Sequence, residues 1–239
     1  MSKRLKFFLS HFAISAVVAI ISIYLVFMVW YPAPLAKALG VTDLFLMLIL
    51  IDVVIGPLFG WFVYKESKKS LKMDLAVVIL IQISAFSYGF YTIAQGRPAW
   101  ILYDTFTFHV IRNIDIETSH LDHAKPKFQS ASWLKPQLVA LSAPSERLII
   151  NQLPSGTIAM DHPMYYTDIS YAQAQIQSAA LPISFLEKFN SKQQINTVIQ
   201  QYPKADAWVG LSAPAQDMVV LINKEKGEVV KIVDLRPWN

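Results

Sequence analysis

Three long apolar stretches, joined by short loops that differ in lysine content, constrain this chain more than any motif in it. The first runs from about Phe7 to Trp30 and is interrupted only by the weakly polar Ser10, His11, Ser15, Ser22 and Tyr24. The second runs from about Leu44 to Tyr64, and the third from about Leu75 to Ile93. At about 1.5 Å per residue each covers the roughly 30 Å hydrocarbon core of a bilayer. The expected fold class is therefore an α-helical membrane region of three transmembrane helices over residues 1–96, followed by a separate domain over 97–239. A signal peptide is the rival reading of the first stretch, with Lys3, Arg4 and Lys6 ahead of it and Ala36-Lys37-Ala38 as a cleavage-like site. The apolar region of a signal spans only about 7–15 residues. Length favours an uncleaved helix.

Lysines set the direction of threading. Lys3, Arg4 and Lys6 precede the first span, and Lys65, Lys68, Lys69 and Lys72 lie between the second and third. The loop between the first two spans, from Tyr31 to Asp43, has one lysine and the turn formers Pro32 and Pro34. The positive-inside rule places both basic segments on the cytoplasmic side, and two spans separate them, as that requires. The third span then carries the chain out, so the residues after about Gln95 are expected in the periplasm or exterior. Gly96-Arg97-Pro98 ends this span, because proline disfavours helical geometry in the residue before it. From Gly96 onward thirteen Lys and Arg face thirteen Asp and Glu, so the formal net charge of +4 belongs to the membrane portion. That distribution suits topology and argues against nucleic acid as a partner, which would want a basic soluble face.

One acid interrupts the apolar spans. Asp52 lies near the middle of the second, at a depth where a carboxylate costs about 2.5–3.5 kcal/mol on insertion scales and is expected to face protein or water. Gly56 and Gly60 follow at i+4 and i+8, the spacing that permits close backbone approach. Pro57 lies within the stripe and is expected to kink the helix. Span three carries a related face of Gln82, Ala85 and Gly89. Counting back from the lysine loop places Ser84 and Ser87 nearer the level of Asp52, with Gln82 within reach if the partner helix tilts. The stripe reads as a seam between spans two and three, as a receiver for a helix of another protein, or as part of a proton path. Three spans without a repeat are thin material for a transporter.

Beyond Gly96 the pattern is that of a soluble domain. Phe106, Phe108 and Val110 alternate with Thr105, Thr107 and His109, which predicts a strand. Asp115 is expected to cap a short helix toward Ala124, and a second strand falls near Gln137 to Ser142. Helices are expected from Ser145 to Asn151, Ser170 to Ala179, Pro182 to Phe189, and from a Ser191 cap to Gln201. Strands follow at Trp208 to Leu211, Met218 to Ile222 and Val229 to Leu235, the last two joined by a hairpin turn ending at Gly227. The sum is an α+β domain with a mainly antiparallel sheet.

Chemistry is harder to find. Cysteine is absent, which excludes disulfides, thiol catalysis and thiolate metal ligands. No phosphate-binding glycine loop, nucleophile elbow or zinc-protease signature occurs. Glu117, His120, Asp122 and His123 form the nearest metal-like cluster, read as a solvated polar face; Asp161-His162 before Pro163 reads as a turn. Met164-Tyr165-Tyr166 reads as core packing ahead of an exposed aromatic surface. No catalytic residue, cofactor or metal is expected, and an enzyme is a minority reading.

Several segments resemble the TfpX/TfpZ family of type IV pilin accessory proteins of Gram-negative bacteria. They are Asp52-Val53-Val54-Ile55-Gly56-Pro57-Leu58, the lysine-rich turn into Asp74-Leu75-Ala76-Val77, Gln82, Tyr88-Gly89, Gln95-Gly96-Arg97-Pro98, and the closing Val233-Asp234-Leu235-Arg236-Pro237-Trp238. The resemblance implies a chaperone-like inner-membrane factor that supports pilin stability and pilus assembly, with type IV pilin and membrane lipid as partners. Asp52, Gly56, Pro57, Gly60, Gln82, Gly89 and Arg97 become the candidate partner-binding or helix-packing residues. The alternatives are a membrane-anchored sensor or subunit of another envelope assembly system, binding peptide or glycan, and a metal-dependent periplasmic hydrolase using His120 and His123.

Overall fold

The computed structural model describes residues 1–142 and 158–238. Three of its helices are long and apolar enough to cross a membrane: Lys3–Trp30, Val41–Val63 and Leu71–Gln95. Each begins a few residues before the expected span, since helices extend into their polar flanks. The first consists of α1 (Lys3–Tyr24), capped by the Ser2 side chain, and a π-helical end at Leu25–Trp30. After the short α2 (Leu35–Ala38), the second runs through α3 (Val41–Leu50), a π-helical stretch at Ile51–Ile55 and α4 (Gly56–Val63). The third, α5, is unbroken from Leu71 to Gln95. The π stretch answers the proline. Pro57 has no N–H and its ring crowds the carbonyl four residues back; the turn ahead of it widens, and Gly56 N–H reaches Ile51 O instead.

The chain divides into two compact units, and the division does not follow its length. A helical unit comprises Met1–Val29 and Val41–Gly96; a sheet unit comprises Trp30–Gly40 and Arg97–Asn239. The segment between the first two long helices thus folds with the C-terminal domain. Leu35 (3% exposed) and Ala38 (0%) belong to its main apolar cluster, Ala38 O accepts from Ala215 N and Gln216 N, and Lys37 Nζ pairs with Asp234 at 2.7 Å. Ala36-Lys37-Ala38, the cleavage-like site of the rival reading, is therefore part of a folded core.

Among the described residues the sheet unit has eight strands: β1 Pro98–Asp104, β2 Thr107–Arg112, β3 Gln137–Leu141, β4 Tyr166–Asp168, β5 Leu181–Pro182, β6 Ala207–Ser212, β7 Met218–Asn223 and β8 Glu228–Val233. Their order is β4-β3-β1-β2-β6-β7-β8, with β5 added at β6. The pairs β1–β3 and β2–β6 are parallel and the others antiparallel, so the sheet is mixed, though mainly antiparallel. Both of its faces are covered. Ile101, Tyr103, Val209, Leu211, Val220 and Ile222 point to one side, under α6 (Gln173–Ala179). On the other side Trp100, Leu102 and Val139 meet Phe128 and Tyr166, while Trp208, Val219 and Leu221 meet Leu186 and, from α7 (Lys192–Gln201), Ile195.

Two-sided burial explains the main departures from expectation. β1 is buried at six successive positions, so it reads as a continuous apolar run without the alternation that marks a one-sided strand. The strand expected around Phe106 starts later, because the chain reverses at Thr105 (φ 48°) and leaves Phe106 73% exposed at the hairpin tip. Asp115 ends a 3-10 turn at Asn113–Asp115, where its carboxylate accepts from Arg112 N, rather than opening a helix. Its successor is another short turn at Leu121–His123. The segment Pro182 to Phe189 is a 3-10 helix at Ile183–Lys188. Ser191 caps α7 as expected, with Gln194 completing a capping box, and Gly227 closes the last hairpin at φ +65°. The expected helix at Ser145 to Asn151 lies outside the described residues.

Truncating Leu35 to Ala should cost about 2–5 kcal/mol, the range for a buried Leu→Ala change. Denaturant unfolding of the full chain in detergent, followed by tryptophan fluorescence, measures it; a loss within error of zero would mean that 30–40 is not part of the core.

Candidate functional site

At the centre of the helical unit one carboxamide joins three helices. Gln82 Nε2 on α5 donates to Asp52 Oδ1 (2.7 Å) and Asp52 O (3.0 Å) in the second long helix, and lies 3.2 Å from Ser15 Oγ on α1. Asp52 is 7% exposed and Ser15 4%. The depth count favouring Ser84 and Ser87 is overturned: both are exposed, and Gln82 makes the contact. The count failed because α5 begins at Leu71, four residues before the expected start. Asp52 lies eleven positions before Val63 and Gln82 eleven after Leu71, so they share a level.

The stripe is filled by the chain's own helices. A Cβ on Gly56 would collide with the Gln82 carboxamide, and one on Gly60 would stand 2.8 Å from Phe7 Cε1 on α1. Pro57 is buried beside them. A Cβ on Gly89 would stand 2.8 Å from Leu48 Cδ1, at the end of that side chain, while Ala85 is exposed. Ser15 and His11 were passed over in the sequence as minor breaks in an apolar run. The available signal was spacing: His11, Ser15, Ala19 and Ser22 recur at helical intervals, and the last three are buried on one face.

One end of this unit is basic and aromatic. Arg4 Nε donates to Trp61 O at 2.8 Å and its guanidinium stacks 4.4 Å from the Trp61 ring. Phe7 meets Tyr64 and Phe8 meets Trp61, with centroids 5.6 and 5.5 Å apart. The start of α1 and the end of α4 are neighbours, so Lys3 and Lys6 share an end with the loop carrying Lys65, Lys68 and Lys69.

In the sheet unit Arg97 is 3% exposed, stacks over Trp133 at 4.1 Å and donates to Asn113 Oδ1 at 3.1 Å. Its role there is to anchor the start of β1. His120 and His123 stack at 5.6 Å, with His123 and Asp122 well exposed. Among the described residues no three His, Asp or Glu side chains converge as a metal site. His162, in the expected turn, is 2% exposed. Its Nε2 has no hydrogen-bond partner among the described residues. Tyr166 of the same segment is core, and its hydroxyl donates to Met160 O at 2.5 Å.

Known proteins can now be set beside this geometry. The serogroup I fimbrial assembly protein of Dichelobacter nodosus is 33% identical over 202 residues, 80% of this chain and 78% of that protein. The chain belongs to the fimbrial assembly protein family. The serogroup E1 protein of the same organism is 31% identical over 201 residues, with the same coverage. That of serogroups C1 and C2 is 37% identical over 117 residues, 48% of this chain and 88% of that protein. The family model described as fimbrial assembly protein FimB matches residues 1–40, which in this family member are the first long helix and the segment that enters the sheet unit. No solved structure matches the chain.

Two measurements follow. Gly56→Ala drives Gln82 off Asp52 and should lower the unfolding free energy in detergent by about 1–2 kcal/mol, seen as a clear drop in the melting midpoint. Gly89→Ala displaces only the end of Leu48 and should stay within about 0.5 kcal/mol. Equal effects would remove the special place given to Gln82. In the sheet unit, burial holds His162 below its ordinary 6.5, against the opposing pull of Glu117, and holds His109 down likewise. A depressed folded-state value means that the unfolded chain binds protons first as pH falls, so stability is full above about 6.5 and lost below it. Burial and the Asp115 and Glu117 carboxylates raise Asp161 above its ordinary 3.8, an opposite effect confined to more acid pH. The urea midpoint should fall from about pH 7 to 5, and His162→Gln should flatten that slope.

Proposed function

We propose that this protein is an accessory factor for type IV pilin, of the kind the TfpX/TfpZ resemblance implies. In this reading it is an inner-membrane protein of three spans that supports the stability of the fibre subunit and its delivery into the pilus. It acts through surfaces and without catalysis or a cofactor, its partners being pilin and lipid. The observation that carries the reading is the likeness over four-fifths of the chain to fimbrial assembly proteins. Orientation rests on charge. Two basic segments meet at one end of the helical unit, beside Trp61 and Tyr64, and the positive-inside rule assigns that end to the cytoplasm. Residues 30–40 and 97–238 fold together, which requires one shared side for both, and three spans supply it. That side is then the periplasm. A fibre subunit waiting in the inner membrane would meet both halves of the protein, its apolar helix beside the spans and its head beside the sheet unit.

The test is a deletion in a piliated host, complemented by the full chain carrying a periplasm-active reporter after Trp238. Subunit level and surface pili should fall several-fold in the deletion and return on complementation, with the reporter active. Unchanged subunit and pili in the deletion would sink the proposal; a silent reporter on a stable fusion would sink the orientation.

A further inference from the structure

One edge of the sheet is joined directly to the third long helix. β1 starts at Pro98, two residues after Gly96 ends α5. Pro98 pairs with Arg112, the last residue of β2, and Trp100 pairs with Gln137, the first of β3. The chain leaving β2 and the chain entering β3 therefore both lie at this edge. Each carries exposed apolar side chains there. Asn113 N donates to Arg97 O at 2.9 Å, and its successor Ile114 is 63% exposed. On the β3 side Trp133, 61% exposed, stacks on the Arg97 guanidinium, and Leu134 beside it is 67% exposed. Arg97, Asn113 and Trp133 wall one cleft, so the three exposed side chains belong to one locality.

Chain continuity says what covers them. The apolar run of α5 ends at Ile93 and Ala94, and Arg97 is four residues beyond Ile93, about 6 Å at the helical rise. The headgroup layer adds about 5–7 Å on each side of the hydrocarbon core. On the three-span reading Arg97 thus stands in that layer, with the Trp133 ring 4.1 Å from its guanidinium. Tyr31, the first residue past the first long helix, lies within electrostatic reach of Arg97 and Arg112, so a second membrane-crossing candidate delivers its chain to the same place. Lipid is the one neighbour that crossing guarantees at this level. The chemistry suits it: Trp favours the headgroup level, Ile and Leu suit the acyl boundary, and the exposed Lys135 offers a cation to phosphate. The acid nearest Ile114, Asp115, is neutralised by Arg112 at 2.7 Å.

We propose that this edge of the sheet unit is a membrane-docking surface, with Ile114, Trp133 and Leu134 set into the lipid leaflet on the sheet unit's own side. It rests on the three-span reading and is independent of the pilin role. The hairpin tip at Phe106, 73% exposed, lies at the other end of β1, about 20 Å away along the strand, and stays in water.

The absence of cysteine allows a fluorophore to be placed at one position at a time. Ile114→Cys, Leu134→Cys, Phe106→Cys and Ile81→Cys, all at exposed positions, are labelled with an environment-sensitive dye in the full chain. Each is reconstituted into vesicles of phosphatidylethanolamine and phosphatidylglycerol that carry a nitroxide either on the headgroup or on the mid acyl chain. Labels at Ile114 and Leu134 should be blue-shifted and quenched by the headgroup nitroxide. The label at Phe106 should be quenched by neither, and that at Ile81, inside α5, by the acyl nitroxide. If Ile114 or Leu134 is quenched no more than Phe106 while Ile81 is quenched, the docking surface is overturned and the three spans stand. Blue-shifted but unquenched emission at Ile114 and Leu134 would mean cover by protein, a second copy of this chain, and would overturn it equally. An unquenched label at Ile81 would remove the span and the docking surface together.

Discussion

The helical unit hangs on a single carboxamide. Apolar helices in hydrocarbon gain little from simple burial against one another, because lipid tails are as apolar as leucine. What sets register is the need to satisfy polar groups, and here Gln82 satisfies a carboxylate and a backbone carbonyl on one neighbour and approaches a hydroxyl on another. Gly56 provides the room for that approach, and the π-helical stretch at Ile51–Ile55 turns Asp52 toward it while absorbing Pro57. Each feature makes sense only with the others in place.

The sheet unit solves a different problem. A mixed sheet with both faces covered needs apolar residues at successive positions, and its central strands supply them. The closing segment is then pinned by polar contacts. Asn190 accepts from Arg236 N at 2.7 Å and donates to Arg236 O at 2.8 Å, while the Arg236 guanidinium bonds Asp217 O and Asp234. Trp238 lies over Gly210, where a side chain would collide with its ring, and donates to Asp217 at 2.5 Å. The terminal Arg-Pro-Trp is thus an architectural clasp on the turn between β6 and β7.

Much of this was legible in advance, and the failures have physical causes. The three long helices follow from length and hydropathy, and the Ser191 cap and Gly227 hairpin from local chemistry. β1 escaped because two-sided burial erases the period-2 signal. Ser15 escaped because a lone serine in an apolar span carries no weight until its neighbours at helical spacing are counted with it. The inclusion of residues 30–40 in the sheet unit had no sequence signal at all: Leu35 and Ala38 look like any apolar loop residues, and only the partners they meet give them meaning.

That inclusion bears on how the protein is made. The ribosome delivers Leu35 and Ala38 long before the strands that enclose them, with two membrane-crossing candidates emitted in between. The sheet unit therefore cannot be completed domain-by-domain in order of synthesis. Its early piece must wait, held between two long helices, until the third helix and the remaining chain arrive. On the three-span topology proposed above, insertion of all three helices becomes a precondition for closing that core, and the folded state is then itself a report that threading succeeded.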